Sequence, residues 1–127
     1  MIDHLDHLVI TTANLDMCVD FYSRILGMRL EEFADGRLAL KFGKQKFNLH
    51  VKGREFEPKA SVPTPGALDL CLIAAIPLDR VITKLRSFGV PIIEGPVART
   101  GAVCPLRSIY IRDPDGNLVE ISEPTAT

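Results

Sequence analysis

The chain repeats itself, which restricts it to folds made of two like halves. The first half reads as a strand (Leu5 to Thr11), a helix (Leu15 to Leu26), Gly27 and then more strands. The second reads as a strand (Ala67 to Ile73), a helix (Leu78 to Phe88), Gly89 and more strands. His7 and Asp69 stand in the opening strands at an interval of 69 − 7 = 62, and the helix-ending glycines keep it, 89 − 27 = 62. In that register Leu8 falls on Leu70, Ile10 on Leu72 and Val19 on Val81. The pattern predicts an α+β fold of duplicated βαβββ modules, their mixed sheet curled around a pocket.

Local signals agree with that division. Asn14 can accept from the free amides of a first helical turn, and Leu15, Val19, Tyr22 and Leu26 recur at helical spacing. Gly27 suits the left-handed conformation that ends a helix. Three strands are expected over Arg29 to Phe33, Arg37 to Phe42 and Lys46 to Lys52, with Asp35-Gly36 and Gly43-Lys44-Gln45 as turns. Pro58, Pro63 and Pro65 mark a linker over about 54–65. Module one then covers about 1–53 and module two about 66–124 of a single domain spanning 1–127, because neither half alone has enough core. In module two, Pro91 to Ile93 reads as a short strand and Glu94 to Leu106, with two glycines and two prolines, as a long loop. The last strands, Arg107 to Ile111 and Asn117 to Ser122, flank the turn Asp113-Pro114-Asp115-Gly116.

Composition excludes several partners. With 127 residues and 46% hydrophobic content the chain is globular. A net charge of −1 leaves no electrostatic footprint for nucleic acid or a membrane surface. No apolar run approaches a bilayer span and the N-terminus is too polar for a signal peptide, so a cytoplasmic protein is expected. Cys18, Cys71 and Cys104 are widely spaced, without Cys-x-x-Cys, and read as free thiols in a reducing compartment.

Side chains alternate along a strand, and four chelating residues break otherwise apolar strands. His7 is followed by Leu8 and Ile10, and His50 lies among Phe47, Leu49 and Val51. Asp69 is bracketed by Leu68, Leu70 and Leu72, and Glu120 by Val119 and Ile121. The apolar set can pack on a helix while the chelators face the other way. Two imidazoles and two carboxylates suit one divalent ion (Ni, Co, Zn, Mn or Fe), leaving two positions for water or substrate. Asp69, shorter than a glutamate, is also suited to hydrogen-bond a ligand or water. His4 reads as surface.

The stretches Leu5-Asp6-His7-Leu8-Val9, Asp20-Phe21-Tyr22 to Leu26-Gly27-Met28 and Tyr110-Ile111-Arg112-Asp113-Pro114-Asp115-Gly116-Asn117-Leu118-Val119-Glu120 resemble the vicinal oxygen chelate superfamily. That superfamily includes glyoxalase I, fosfomycin-resistance proteins, bleomycin-binding proteins and extradiol dioxygenases, and the likeness is greatest to small glyoxalase-domain, virulence-protein-like members. The resemblance implies a homodimer and a metal held by His7, His50, Asp69 and Glu120. It departs from glyoxalase I at His50, where that family has a carboxylate, and at Asp69, where it has His or Gln.

The activity implied is a metal-dependent, lactoylglutathione lyase-like isomerisation of a small oxygen-rich substrate such as a 2-oxoaldehyde hemithioacetal. Glutathione would be the co-substrate, and Glu120, then Asp69, the proton-transfer residue. Alternatives are an Fe(II) dioxygenase using His7, His50 and Glu120, an antibiotic-modifying transferase, and a metal-free drug-binding protein.

Overall fold

Each half of the chain builds the same four-stranded mixed sheet. The computed structural model describes residues 1–126, and they fall into two units, the first Met1–Ala67 and the second beginning at Leu68. In the first unit, β1 (His7–Thr12) leads to α1 (Leu15–Asp20), which runs on as a π-helical turn over Phe21–Ile25. β2 (Arg29–Phe33), β3 (Arg37–Phe42) and β4 (Gln45–Val51) follow, and the sheet order is β1-β4-β3-β2. The second unit has β5 (Asp69–Ile73), α2 (Leu78–Ser87), β6 (Glu94–Thr100), β7 (Pro105–Arg112) and β8 (Leu118–Pro124), ordered β5-β8-β7-β6. In both, the first strand pairs in parallel with the last, and the remaining pairs are antiparallel. The expected duplicated α+β modules are therefore present.

The helices cover one face of each sheet. Asn14 Oδ1 accepts from Met17 N at 3.1 Å and caps α1. Tyr22 and Cys18 are fully buried, and the Tyr22 ring meets Phe47 edge-on at 5.8 Å between centroids. Ile10, Leu40 and Leu49 complete that core. In the second unit Leu78, Ile82 and Leu85 of α2 are buried with Ile109, Ile111, Val119 and Ile121. Gly27 and Gly89, at φ +79° and +74°, end the two helices as their spacing suggests.

Two expectations need correction. Pro91 to Ile93 is not a strand, and Glu94 to Leu106 is not a loop: β6 begins at Glu94, and β7 has already begun at Pro105. β6 lies at the sheet edge, where proline removes no ladder bond on the open side. A bulge between Glu94 and Val97 takes up Gly95 and Pro96. Among the described residues, no helix is long and apolar enough to cross a membrane.

Candidate functional site

Strand register fixes which chelating side chains can meet. In β1, His7, Val9 and Thr11 point away from the helix-covered face and pair with Lys46, Asn48 and His50. In β5, Asp69, Cys71 and Ile73 do the same and pair with Leu118, Glu120 and Ser122. All four predicted chelators thus lie on the helix-free faces. Their spacing differs. Asp69 and Glu120 are two register steps apart, about 7 Å along the strands, whereas His7 and His50 are four steps apart, about 13 Å. Among the described residues, no group of three or more His, Cys, Asp or Glu side chains able to hold a metal ion occurs.

His7 has a carboxylate partner. Asp6 Oδ2 accepts from its Nδ1 at 2.8 Å, which places the ring proton there and leaves Nε2 with a free lone pair. The same contact, as the largest influence, holds the Asp6 carboxyl below the usual aspartate range.

His50 is in a different setting. It is only 7% exposed, and its ring meets Phe56 edge-on at 5.7 Å. The Arg37 guanidinium lies 4.4 Å from the centre of the Phe56 ring. Burial, then the Arg37 charge, push the His50 pKa down, so its imidazole is neutral. The segment after β4 folds back over this face, with Lys52 Nζ donating to the Pro63 carbonyl at 3.3 Å. It leaves a cleft of about 350 Å³ lined by Val9, Thr11, His50, Pro58 and Lys59.

Glu120 is held by a hydroxyl network. Ser122 Oγ donates to Glu120 Oε2 at 3.2 Å. It also contacts Ser108 Oγ at 2.6 Å and Cys71 Sγ at 3.2 Å. A hydroxyl has one proton and two lone pairs. With its proton given to Glu120, Ser122 accepts from both Ser108 and Cys71. Burial, more than the Glu120 charge beside it, raises the Cys71 thiol pKa and keeps it a protonated donor. Cys71 is thus a polar member of this face, while Cys18 fills the core as expected. Across β7, Tyr110 pairs with Glu120, and Arg99 Nε donates to its phenol oxygen at 2.8 Å.

Asp69 is exposed, and its position is fixed from the motif before β8. Asp113 Oδ1 accepts from the amides of Asp115 and Asn117 at 3.0 and 2.9 Å, and Asn117 Nδ2 donates to Asp113 Oδ2 at 2.7 Å. Asn117 Oδ1 then accepts from Leu68 N at 2.9 Å, tying the start of β5 to β8. The most specific sequence motif of the chain is therefore structural, and it sets the register that puts Asp69 opposite Leu118, two steps from Glu120.

Sequence reading missed Asn48. It lies on the helix-free face of β4, and its Oδ1 is buried without a hydrogen-bond partner. In the second unit Asp69 and Glu120 put two carboxylates on one face, and oxygen donors of that kind suit a hard or borderline divalent ion.

Comparison with known proteins agrees with this architecture. The model of the Glyoxalase/Bleomycin resistance protein/Dioxygenase superfamily matches residues 4–121. Virulence protein STM3117 of Salmonella typhimurium is 51% identical over 123 residues, which cover 97% of this chain and 85% of that protein. Its crystal structure superposes with a TM-score of 0.96, covering 98% of this chain and 99% of that one. Glyoxalase domain-containing protein RDO1 of Mycosarcoma maydis is 55% identical over 118 residues, 93% of this chain and 66% of its own length, so the chain spans just under two thirds of that relative. The integron cassette protein VCH_CASS1 of V. cholerae has a TM-score of 0.96 at 49% identity, covering 98% of each chain.

Proposed function

Since the chain belongs to the Glyoxalase/Bleomycin resistance protein/Dioxygenase superfamily, we propose that it is a divalent-metal-dependent isomerase or lyase of glyoxalase type. Its substrate would be a small molecule with neighbouring oxygens, such as the hemithioacetal of a 2-oxoaldehyde and glutathione, and its working form a homodimer. The observation that carries this reading is Glu120, a carboxylate on a helix-free face, two register steps from Asp69 and gripped by a buried hydroxyl.

Asp69 and Glu120 of the second unit are the proposed carboxylate donors, and His7 and His50 of the first unit the proposed imidazole donors. A bound divalent ion supplies electrostatic stabilisation of charge developing on two substrate oxygens. The chain's own residues do the rest. Glu120 takes a proton from the substrate carbon that carries sulfur and oxygen and returns it to the adjacent carbon, so no atom is gained or lost. Ser122 keeps the carboxylate turned toward that path. Asp6 keeps the His7 imidazole in one tautomer. Asp69, two steps away, is the second carboxylate available to the reaction.

Elemental analysis followed by an assay with methylglyoxal and glutathione tests the reading. One equivalent of Ni, Co, Zn, Mn or Fe per chain is expected, with turnover that a chelator removes. Glu120→Gln keeps most of the metal and loses turnover. A protein that takes up no ion after loading, or a Glu120→Gln variant with an unchanged rate, overturns the proposal and favours a metal-free binding protein.

A further inference from the structure

Three polar side chains of the first unit stand in one row across its helix-free face. Thr11 of β1 pairs with His50 of β4. β3 pairs antiparallel with β4 at Ala39 and Asn48, and two further steps bring Arg37 (39 − 2 = 37) beside His50 (48 + 2 = 50). The Thr11 hydroxyl, the His50 imidazole and the Arg37 guanidinium make no hydrogen bond or ion pair with any described residue. His50 does so at only 7% exposure, where a polar group ordinarily has a partner.

The chemistry of the row is that of a donor set. Arg37 is engaged through its flat face, 4.4 Å from the centre of the Phe56 ring, which leaves its in-plane N–H groups free. A guanidinium can only donate, and a hydroxyl and an imidazole can each donate as well. The other charges of this region have partners. Lys59 Nζ is paired with Glu57 Oε1 at 2.6 Å, and Glu55 Oε1 accepts from Gly53 N at 3.1 Å. One free cation matches one negative charge, and its planar fork matches a carboxylate. Thr11 and His50 also line the cleft of about 350 Å³, whose other walls include the apolar Val9, Pro58 and Pro63. Such a combination of apolar walls and a few convergent polar groups is that of a small-molecule pocket.

We propose that this row binds the carboxylate of a small monoanionic acid, whose apolar body lies in the cleft between Val9 and the segment that follows β4. Arg37 grips the carboxylate through its fork, and Thr11 donates to it from the neighbouring strand. Phe56 holds the guanidinium flat and sets the direction of its donors. The site lies wholly within the first unit and requires no ion, so it stands apart from the isomerase reading.

Calorimetric titration of the intact, chelator-treated protein with sodium benzoate, with benzamide and with inorganic phosphate tests this. Benzoate should bind with a Kd of about 1 mM or tighter and shift the His50 ring resonances in an NMR titration. Benzamide, of the same shape but uncharged, should bind at least about tenfold more weakly, and Arg37→Met should weaken benzoate by at least the same factor. Benzoate that does not bind, that leaves the His50 signals unmoved, or that loses less than this in Arg37→Met overturns the site. Benzamide binding within that factor of benzoate, or phosphate binding tighter than benzoate, overturns the ligand class. If Arg37→Met does not fold, Arg37→Lys decides, because it keeps the charge and loses the fork, and undiminished benzoate binding then overturns the site. No ion or turnover enters these measurements, so their failure leaves the isomerase reading untouched, and its failure leaves them untouched.

Discussion

Ser122 shows how much one hydroxyl settles. Its proton goes to Glu120, and its lone pairs take Ser108 and Cys71. Ser122→Ala should leave the fold intact and lower turnover about tenfold, mainly in kcat with little change in KM, because a released carboxylate samples unproductive rotamers. Steady-state kinetics beside a circular dichroism melt checks this, and an unchanged kcat would mean the network is only packing. None of it was visible from the sequence, where Ser108 and Ser122 are two unremarkable polar residues. The faces of His7, His50, Asp69 and Glu120 were legible, because a chelator flanked by aliphatic residues on a strand reveals its face. The register that spaces them along their strands was not, because pairing sets it and alternation does not.

At the scale of elements, turn chemistry was legible and edge strands were not. β2 and β3 lie where Asp35-Gly36 placed them, and Gly36 takes φ +80° as such a turn requires. β6 was hidden because glycine and proline normally argue against a strand, and only its edge position and bulge make them tolerable. The helix expected over Leu15 to Leu26 ends in a π turn, where Ser23 Oγ donates to the Val19 carbonyl at 2.5 Å instead of leaving the ladder undisturbed. The loop before β8 carries the firmest prediction at this scale. Asn117→Ala would remove the acceptor of the part-buried Leu68 amide and one of the donors to the Asp113 carboxylate, costing about 1–3 kcal/mol. Urea denaturation should show it, and a midpoint equal to wild type would mean that the loop does not hold β5.

Across the whole molecule, stability should depend on pH through His50. Its folded-state pKa is depressed below the ordinary histidine value of 6.5 by burial and Arg37. Above 6.5 both folded and unfolded chains carry it neutral, and no penalty arises. As pH falls below 6.5 the unfolded chain takes up the proton first, so the folded state loses stability until pH passes its own lower pKa. Thermal melts of metal-free protein from pH 7.5 to 5 should show this loss, and His50→Gln should flatten it. A slope that survives the substitution would assign the loss to other groups. The repeat itself was legible at this scale, from matched glycines and matched aliphatic positions. Its exact register was not, because the second unit is longer: Lys46 pairs with His7 and Leu118 with Asp69, so β8 trails β4 by 118 − 46 = 72 against an interval of 62 at the opening strands.

Each unit begins and finishes on neighbouring strands, with everything between them looped outward as a helix and a hairpin. A molecule gripped by both strands would close that circuit like a clasp, joining segments the chain makes earliest and latest. Extra residues can accumulate in the hairpin, as they have after Gly89, without disturbing the grip. Occupancy would therefore report completed folding, since a unit that has not yet laid its last strand beside its first has nothing to hold with.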